Sequence, residues 1–217
     1  WWLERLRATL KLVDILRIDH FRGFAGYWEI PAGNPTAEIG RWVPGPGADF
    51  FNAVQSSLGS DLPIIAEDLG LITPDVISLR DQFALPGMKV LQFGFSGPDN
   101  PFLPHSYPQN CVVYTGTHDN DTARGWYGSA PESEKDFARR YLEIDGSDFS
   151  QDLIRTAWKS TAVFALAPMQ DFLALGTQAR FNYPSRLGGN WEWRMAETSL
   201  GGGLQGSIRE LNWLYQR

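Results

Sequence analysis

A single cysteine, Cys111, excludes an internal disulfide and fits a reducing compartment, expected here to be the cytoplasm. Histidine is scarce: His20, His105 and His118 offer no compact ligand spacing for zinc, so no metal is expected. No Gly-x-Ser-x-Gly elbow occurs, which leaves nucleophilic serine chemistry without its usual frame. No apolar run approaches the roughly 20 residues a membrane span needs. No block of like charge is long enough to be an interaction tail. The net charge of −6 disfavours nucleic acid and anionic membrane surfaces, both of which reward clustered Lys and Arg. The opening Trp1-Trp2-Leu3-Glu4-Arg5 lacks the layout of a signal peptide and reads as the inside of a helix. The glycine run at 201–206 matches G-x-G-x-x-G, yet no strand precedes it and no acidic ribose partner follows. Asp119-Asn120-Asp121 opens like a calcium loop, but Arg124 stands where an EF-hand needs glycine. No cofactor is expected.

What the chain does have is aromatic surface: nine Trp, seven Tyr and thirteen Phe among 217 residues. Flat aromatic faces stack on the C–H faces of sugar rings, although core packing is the commoner fate of a tryptophan. Trp28, Trp42 and Trp126 follow candidate strands and are the better sugar platforms. The size is that of one domain with a real core.

Leu3, Leu6, Leu10 and Val13 repeat at helical spacing. Apolar runs at 15–21, 63–67, 88–93, 111–115 and 162–167 read as strands, separated by helical stretches near 49–58, 132–143 and 151–159 and closed by a helix at 207–215. Asp49 is the expected N-cap of the first of these stretches. Thr73-Pro74 opens another helix, with proline at its first position. The Gly- and Pro-rich segment from about 23 to 47 reads as a long functional loop. Strands alternating with helices predict an α/β fold with parallel pairing. Five strands make only part of an eight-stranded barrel, and a free-standing doubly wound sheet is the alternative. Acids at several strand ends favour the barrel.

Those acids are Asp19 in Arg17-Ile18-Asp19-His20, Glu67 in Ala66-Glu67-Asp68, and Asp119 in Thr117-His118-Asp119-Asn120-Asp121. They lie 48 and 52 residues apart, about two βα units each. Alone, each reads as a cap, turn or ion-pair residue; together they read as an active site at successive strand ends. Arg17 shares a strand face with Asp19 and holds it ionised, as a nucleophile requires. Glu67 follows Ile64, Ile65 and Ala66, an apolar approach that favours the proton-bearing form of a general acid. Two such carboxylates are the minimum equipment of a retaining glycosidase, which places them about 5–5.5 Å apart.

Longer segments around these acids resemble a known family. Arg-Ile-Asp-His-Phe-Arg-Gly-Phe (17–24), Ile-Ala-Glu-Asp-Leu-Gly (65–70) and Tyr-Thr-Gly-Thr-His-Asp-Asn-Asp-Thr (114–122) are similar to signature segments of the amylomaltases. So are Gly-Met-Lys-Val-Leu-Gln-Phe (87–93), Ala-Arg-Phe-Asn-Tyr-Pro (179–184) and Gly-Asn-Trp-Glu-Trp-Arg (189–194). Amylomaltases are 4-α-glucanotransferases of glycoside hydrolase family 77, in the α-amylase clan. The resemblance implies a partial (β/α)8 TIM barrel, roughly strands four to eight with their helices. Residues 1–217 would be the C-terminal part of the catalytic barrel, truncated on the N-terminal side. It further implies Asp19 as nucleophile, Glu67 as acid/base, and Asp119 as a third acid on the distorted sugar, with His118 beside it. Arg17 would orient Asp19, and Asn182 would line the cleft. Implied partners are α-1,4-glucans and maltooligosaccharides, with glucose as an acceptor, and the missing N-terminal half of the barrel. The runner-up activities are an α-glucan hydrolase of the same clan and a fragment inactive alone. Ser185 stands where the family often carries glycine.

Overall fold

The computed structural model describes residues Trp1–Arg217. The chain divides into two compact units, Trp1–Met88 and Lys89–Arg217. No helix is long and apolar enough to cross a membrane.

The first unit runs α1 (Trp2–Thr9), β1 (Leu16–Ile18), β2 (Gly26–Glu29), β3 (Arg41–Pro44), α2 (Gly47–Leu58), β4 (Ile64–Ala66) and α3 (Pro74–Gln82). β1 and β4 pair in parallel, Leu16 with Ile64 through Ile18 with Ala66. The α2 connection between them makes this a crossover, since parallel neighbours cannot be joined by a tight turn. β4 is buried throughout, as strands covered on both faces are. The core beneath it gathers Leu6, Phe21, Phe51, Val54, Ile64, Val76 and Leu85. Phe51 has no exposed surface and meets the rings of Phe21, Phe24, Phe50 and Phe83 at centroid distances of 5.0–5.5 Å. Phe51→Leu should therefore cost about 1–2 kcal/mol through imperfect refilling of that space. A lower urea midpoint at unchanged slope checks this.

Three expectations for this unit need correction. The segment 23–47 is not an irregular loop, because β2 and β3 form an antiparallel ladder inside it, Gly26 with Pro44 through Glu29 with Arg41. Asp49 is not the cap of α2: the helix starts two residues earlier, at Gly47, and Asp49 sits within its first turn, where its charge suits the helix dipole. α1 stops at Thr9, short of Val13. Thr73 and Pro74 do open α3, with proline inside the first turn.

β5 (Gly87–Val90) runs across the boundary into the second unit, which continues with β6 (Cys111–Tyr114), α4 (Ala123–Ser129), α5 (Glu132–Leu142), α6 (Phe149–Trp158), β7 (Phe164–Leu166), α7 (Met169–Phe172) and α8 (Gly202–Tyr215). β5, β6 and β7 form a sheet in that order, and β6 and β7 are parallel. α6 supplies Phe149, Leu153, Ile154, Ala157 and Trp158 to the core, positions that share one helical face. α5 is charged and buries only Ala138; Glu132 pairs with Arg139 at 2.6 Å on its outer side. Helices α4 and α7 were not anticipated. α8 begins inside the glycine run rather than after it, so those glycines form helical turns and not a nucleotide-binding loop. Trp126 packs between Phe95 and Phe149, at 5.5 and 5.3 Å, which makes it a core residue rather than a sugar platform. Trp28 and Trp42 are exposed, cross-strand neighbours on the β2–β3 hairpin.

Candidate active site

Asp19 and Glu67 are the first residues beyond the ends of β1 and β4. The ladder that pairs Ile18 with Ala66 continues past both strands. The Glu67 N–H donates to the Ile18 carbonyl at 2.9 Å, and the Phe21 N–H donates to the Glu67 carbonyl at 2.9 Å. Two carboxyl-bearing residues are thereby set at the C-terminal ends of adjacent parallel strands, whose backbones run about 4.8 Å apart.

The two carboxyl groups are held differently. Asp19 accepts from Arg17 Nη2 at 2.8 Å and is otherwise open, with 76% of its side chain exposed. Arg17 in turn rests its Nε on Met88 Sδ at 3.4 Å, which fixes the guanidinium on the strand face that period-two alternation assigns it. Glu67 is half-buried, and both of its oxygens accept backbone N–H groups, Oε2 from His20 at 2.7 Å and Oε1 from Leu69 at 3.0 Å. The apolar surroundings expected from Ile64–Ala66 are therefore not what the carboxyl meets; those side chains go to the core, and the group sits among backbone donors. His20 reaches it in a left-handed conformation, φ +50°. Such backbone is uncommon outside glycine and asparagine, and it persists where neighbouring contacts fix it. Here the buried ring of Phe21 supplies the anchor one residue later.

The Asp68 side chain is largely covered, at 7% exposure: it pairs with Arg80 and accepts the Met88 N–H at 2.7 Å, so it is a structural tie. A side chain at Gly87 would bring a Cβ within 2.4 Å of the Asp68 carboxylate, so glycine is required there. A cavity of about 650 Å³ opens beside Asp19, walled by Trp2, Leu6, Leu16, Ile18 and Phe24.

The second unit carries its own cluster. Asp119 lies in the loop between β6 and α4; its Oδ1 accepts from Asn182 Nδ2 at 2.6 Å, and its Oδ2 lies 3.4 Å from His118 Nε2. His118 thus lies beside Asp119 as expected, and Asn182, expected only to line the cleft, bonds to the same carboxylate. Two residues not singled out complete it. Arg180 donates to the Asp119 carbonyl at 2.7 Å and to the Asn182 carbonyl at 2.9 Å. Trp191 stands with its ring 5.2 Å from that of His118. Both belong to the segments 179–184 and 189–194, so the signal was in hand but unassigned. Ser185 takes φ +64°, the region that favours glycine, at a cost of about 1 kcal/mol. His118, Arg180 and Phe181 also line a cavity of about 260 Å³.

The 4-alpha-glucanotransferase family profile matches residues 1–199. A 4-alpha-glucanotransferase from Thermus thermophilus is 54% identical over 92% of this chain and 42% of its own length. One from Synechocystis is 49% identical over the whole chain and 44% of its own length. The structure of the amylomaltase from Streptococcus agalactiae in complex with acarbose superposes with a TM-score of 0.95 at 36% identity, over 100% of this chain and 44% of that one. The chain thus spans less than half the length of the curated relatives it matches. By sequence and by structure alike, the chain belongs to the 4-alpha-glucanotransferase family of glycoside hydrolase family 77.

Proposed function

We propose that this chain supplies the catalytic acids of a 4-α-glucanotransferase that moves α-1,4-glucan segments between maltodextrins by retaining double displacement. The observation that carries the reading is the placement of Asp19 and Glu67 at the ends of two paired parallel strands. In this scheme Glu67 protonates the glycosidic oxygen while Asp19 attacks the anomeric carbon. A β-linked glycosyl ester forms on Asp19, and the reducing-end fragment leaves. The non-reducing end of a second glucan, or glucose itself, then enters. Glu67 takes the proton of its 4-hydroxyl, and the α-1,4 bond re-forms with Asp19 released. Arg17, donating to Asp19 Oδ1 at 2.8 Å, keeps the carboxyl oriented between turnovers. Asp119 binds the sugar hydroxyls most strongly as the ring flattens, which makes its contact catalytic rather than uniform. The scheme needs no metal or cofactor.

The strands β1, β4, β5, β6 and β7 read as strands four to eight of a (β/α)8 barrel, with residues 1–217 its C-terminal part and the N-terminal half as partner. The amylomaltase superposition over the full chain supports this. The cytoplasm is the proposed location.

Incubation with maltotriose tests the activity. Glucose together with maltodextrins longer than maltotriose is the expected outcome, from the chain alone or on mixing with its complementary N-terminal half. Shorter products only would turn the assignment to a hydrolase of the same clan, because transfer requires an acceptor that outcompetes water. Asn182→Ala removes one donor to an exposed carboxylate and should lower kcat/KM about tenfold, the low end for hydrogen bonds to charged groups. Steady-state maltotriose kinetics read this directly.

A further inference from the structure

The loop that presents His118 and Asp119 is exposed at its tip, yet both of its ends are tied down in the interior. Asp171, on α7, has no exposed surface. Its Oδ2 accepts the Thr115 hydroxyl at 2.6 Å, and its Oδ1 accepts the Ala123 N–H at 2.7 Å. Thr115 follows directly on β6, and Ala123 is the first residue of α4. One carboxylate thus spans the root of the segment 116–122. Thr115 and Ala123 are themselves without exposed surface. No water reaches these donors to replace a lost acceptor, and an unsatisfied buried donor is costly.

We propose that Asp171 is the positioning residue for the His118–Asp119 loop, holding the end of β6 and the first turn of α4 at a fixed separation. The proposal rests on the reading of Asp119 as the third acid. Neighbouring ties set the same loop from other directions. Asp121 accepts from the Thr177 hydroxyl at 2.7 Å, and Gln92 donates to the Asp121 carbonyl at 2.9 Å. A Cβ at Gly116 would stand 2.7 Å from Gln92 Nε2, so the chain passes that amide with no room to spare. None of these groups points to a sugar-binding role for Asp171. It acts through backbone and hydroxyl contacts alone.

Burial holds the Asp171 carboxyl above the ordinary carboxylate range; the Thr115 hydroxyl and the Ala123 N–H oppose this, and the charge of Asp121 reinforces it. An uncharged group of the same shape is consequently well tolerated at this position. Asparagine accepts the Ala123 N–H with its oxygen and donates to the Thr115 hydroxyl with its nitrogen. Leucine does neither.

The test compares Asp171→Asn, Asp171→Leu and Thr115→Val in the intact protein, by maltotriose kinetics and by amide hydrogen exchange of the 116–122 segment. Expected are near-parental kcat for Asp171→Asn and a loss of about a hundredfold in kcat for Asp171→Leu with KM changed less than threefold. This split is that of a contact made only in the transition state. Thr115→Val, which frees one end only, should lie between them. Exchange should rise in 116–122 for the leucine variant while α5 and α6 stay protected. Leucine activity within threefold of the parent, or exchange rising equally through α5 and α6, would overturn the proposal. Should Asp171→Leu not fold, Thr115→Val carries the same comparison. An unsubstituted protein without transfer activity would count against the proposed function, and the exchange pattern would still decide the anchor.

Discussion

Asp19→Asn should lower maltotriose transfer by about 10⁴-fold or more, equivalent to roughly 5.5 kcal/mol of transition-state stabilisation. The amide matches the carboxylate in size and still faces Arg17 Nη2, found 2.8 Å from the Asp19 carboxylate. It cannot form the glycosyl ester through which retention proceeds. Stability should scarcely move. The Arg17–Asp19 pair is mostly on the solvent side, with 76% of the aspartate exposed, and such pairs contribute at most about 1 kcal/mol. The measurement is therefore paired: kcat on maltotriose, and the midpoint of urea unfolding. Collapse of kcat at an unchanged midpoint assigns Asp19 to the chemistry. A variant that keeps activity within tenfold of the parent sinks the assignment. Maltotriose should also still bind the asparagine variant, because the substitution removes a bond-forming group and not a contact with the glucan.

The acids and their strands were readable in the sequence because each combines a local signal with a local consequence. Ile64-Ile65-Ala66 is an apolar run that becomes a fully buried strand, and the next residue must leave the sheet with its charge. The same logic found β1, β4, β5, β6 and β7, of which β1 pairs with β4 and β6 with β7 in parallel. The β2–β3 hairpin was missed although its cross-strand pairs were present: Tyr27 with Val43, Trp28 with Trp42, and Glu29 bonded to Arg41 at 2.6 Å. Its strands are separated by a Gly- and Pro-rich stretch that hides their register, and hairpins are recognised by short turns. α8 was expected too short because glycine is a poor helix former. Packing overrides that propensity: Leu211 is buried, and Asn212 accepts from Trp158 Nε1 at 2.8 Å. Asp171 gave no sequence signal at all. Its partners lie 56 and 48 residues away, and only the folded chain brings the Thr115 hydroxyl just beyond β6 and an α4 amide to one carboxylate. Local chemistry reads from sequence; long-range satisfaction of buried polar groups does not.

Glu67 calls for a different experiment, because its obvious isostere is not silent. Both carboxylate oxygens accept backbone N–H groups, from His20 and from Leu69. In Glu67→Gln one of those N–H groups would face an amide nitrogen, donor against donor. The turn at His20 would shift with it, and so would the Asp19 that precedes it. Glu67→Ala is the cleaner variant, since water can fill the half-buried space and serve both N–H groups. On maltotriose it should lose about 10³-fold, within the range general acid–base catalysis contributes. The informative comparison uses α-glucosyl fluoride, whose leaving group departs without a proton. Formation of the glycosyl-enzyme should then be restored to within about tenfold, seen as a burst of fluoride equal to the enzyme present. Transfer to a glucan acceptor should stay slow, because the 4-hydroxyl still needs a base. Azide, a nucleophile with no proton to lose, should restore turnover. Equal losses on both donors would remove Glu67 from proton transfer and leave it a structural carboxylate that shapes the His20 turn. A fluoride burst followed by azide-dependent turnover would assign the proton on both half-reactions to this one residue, with Asp19 holding the sugar between them.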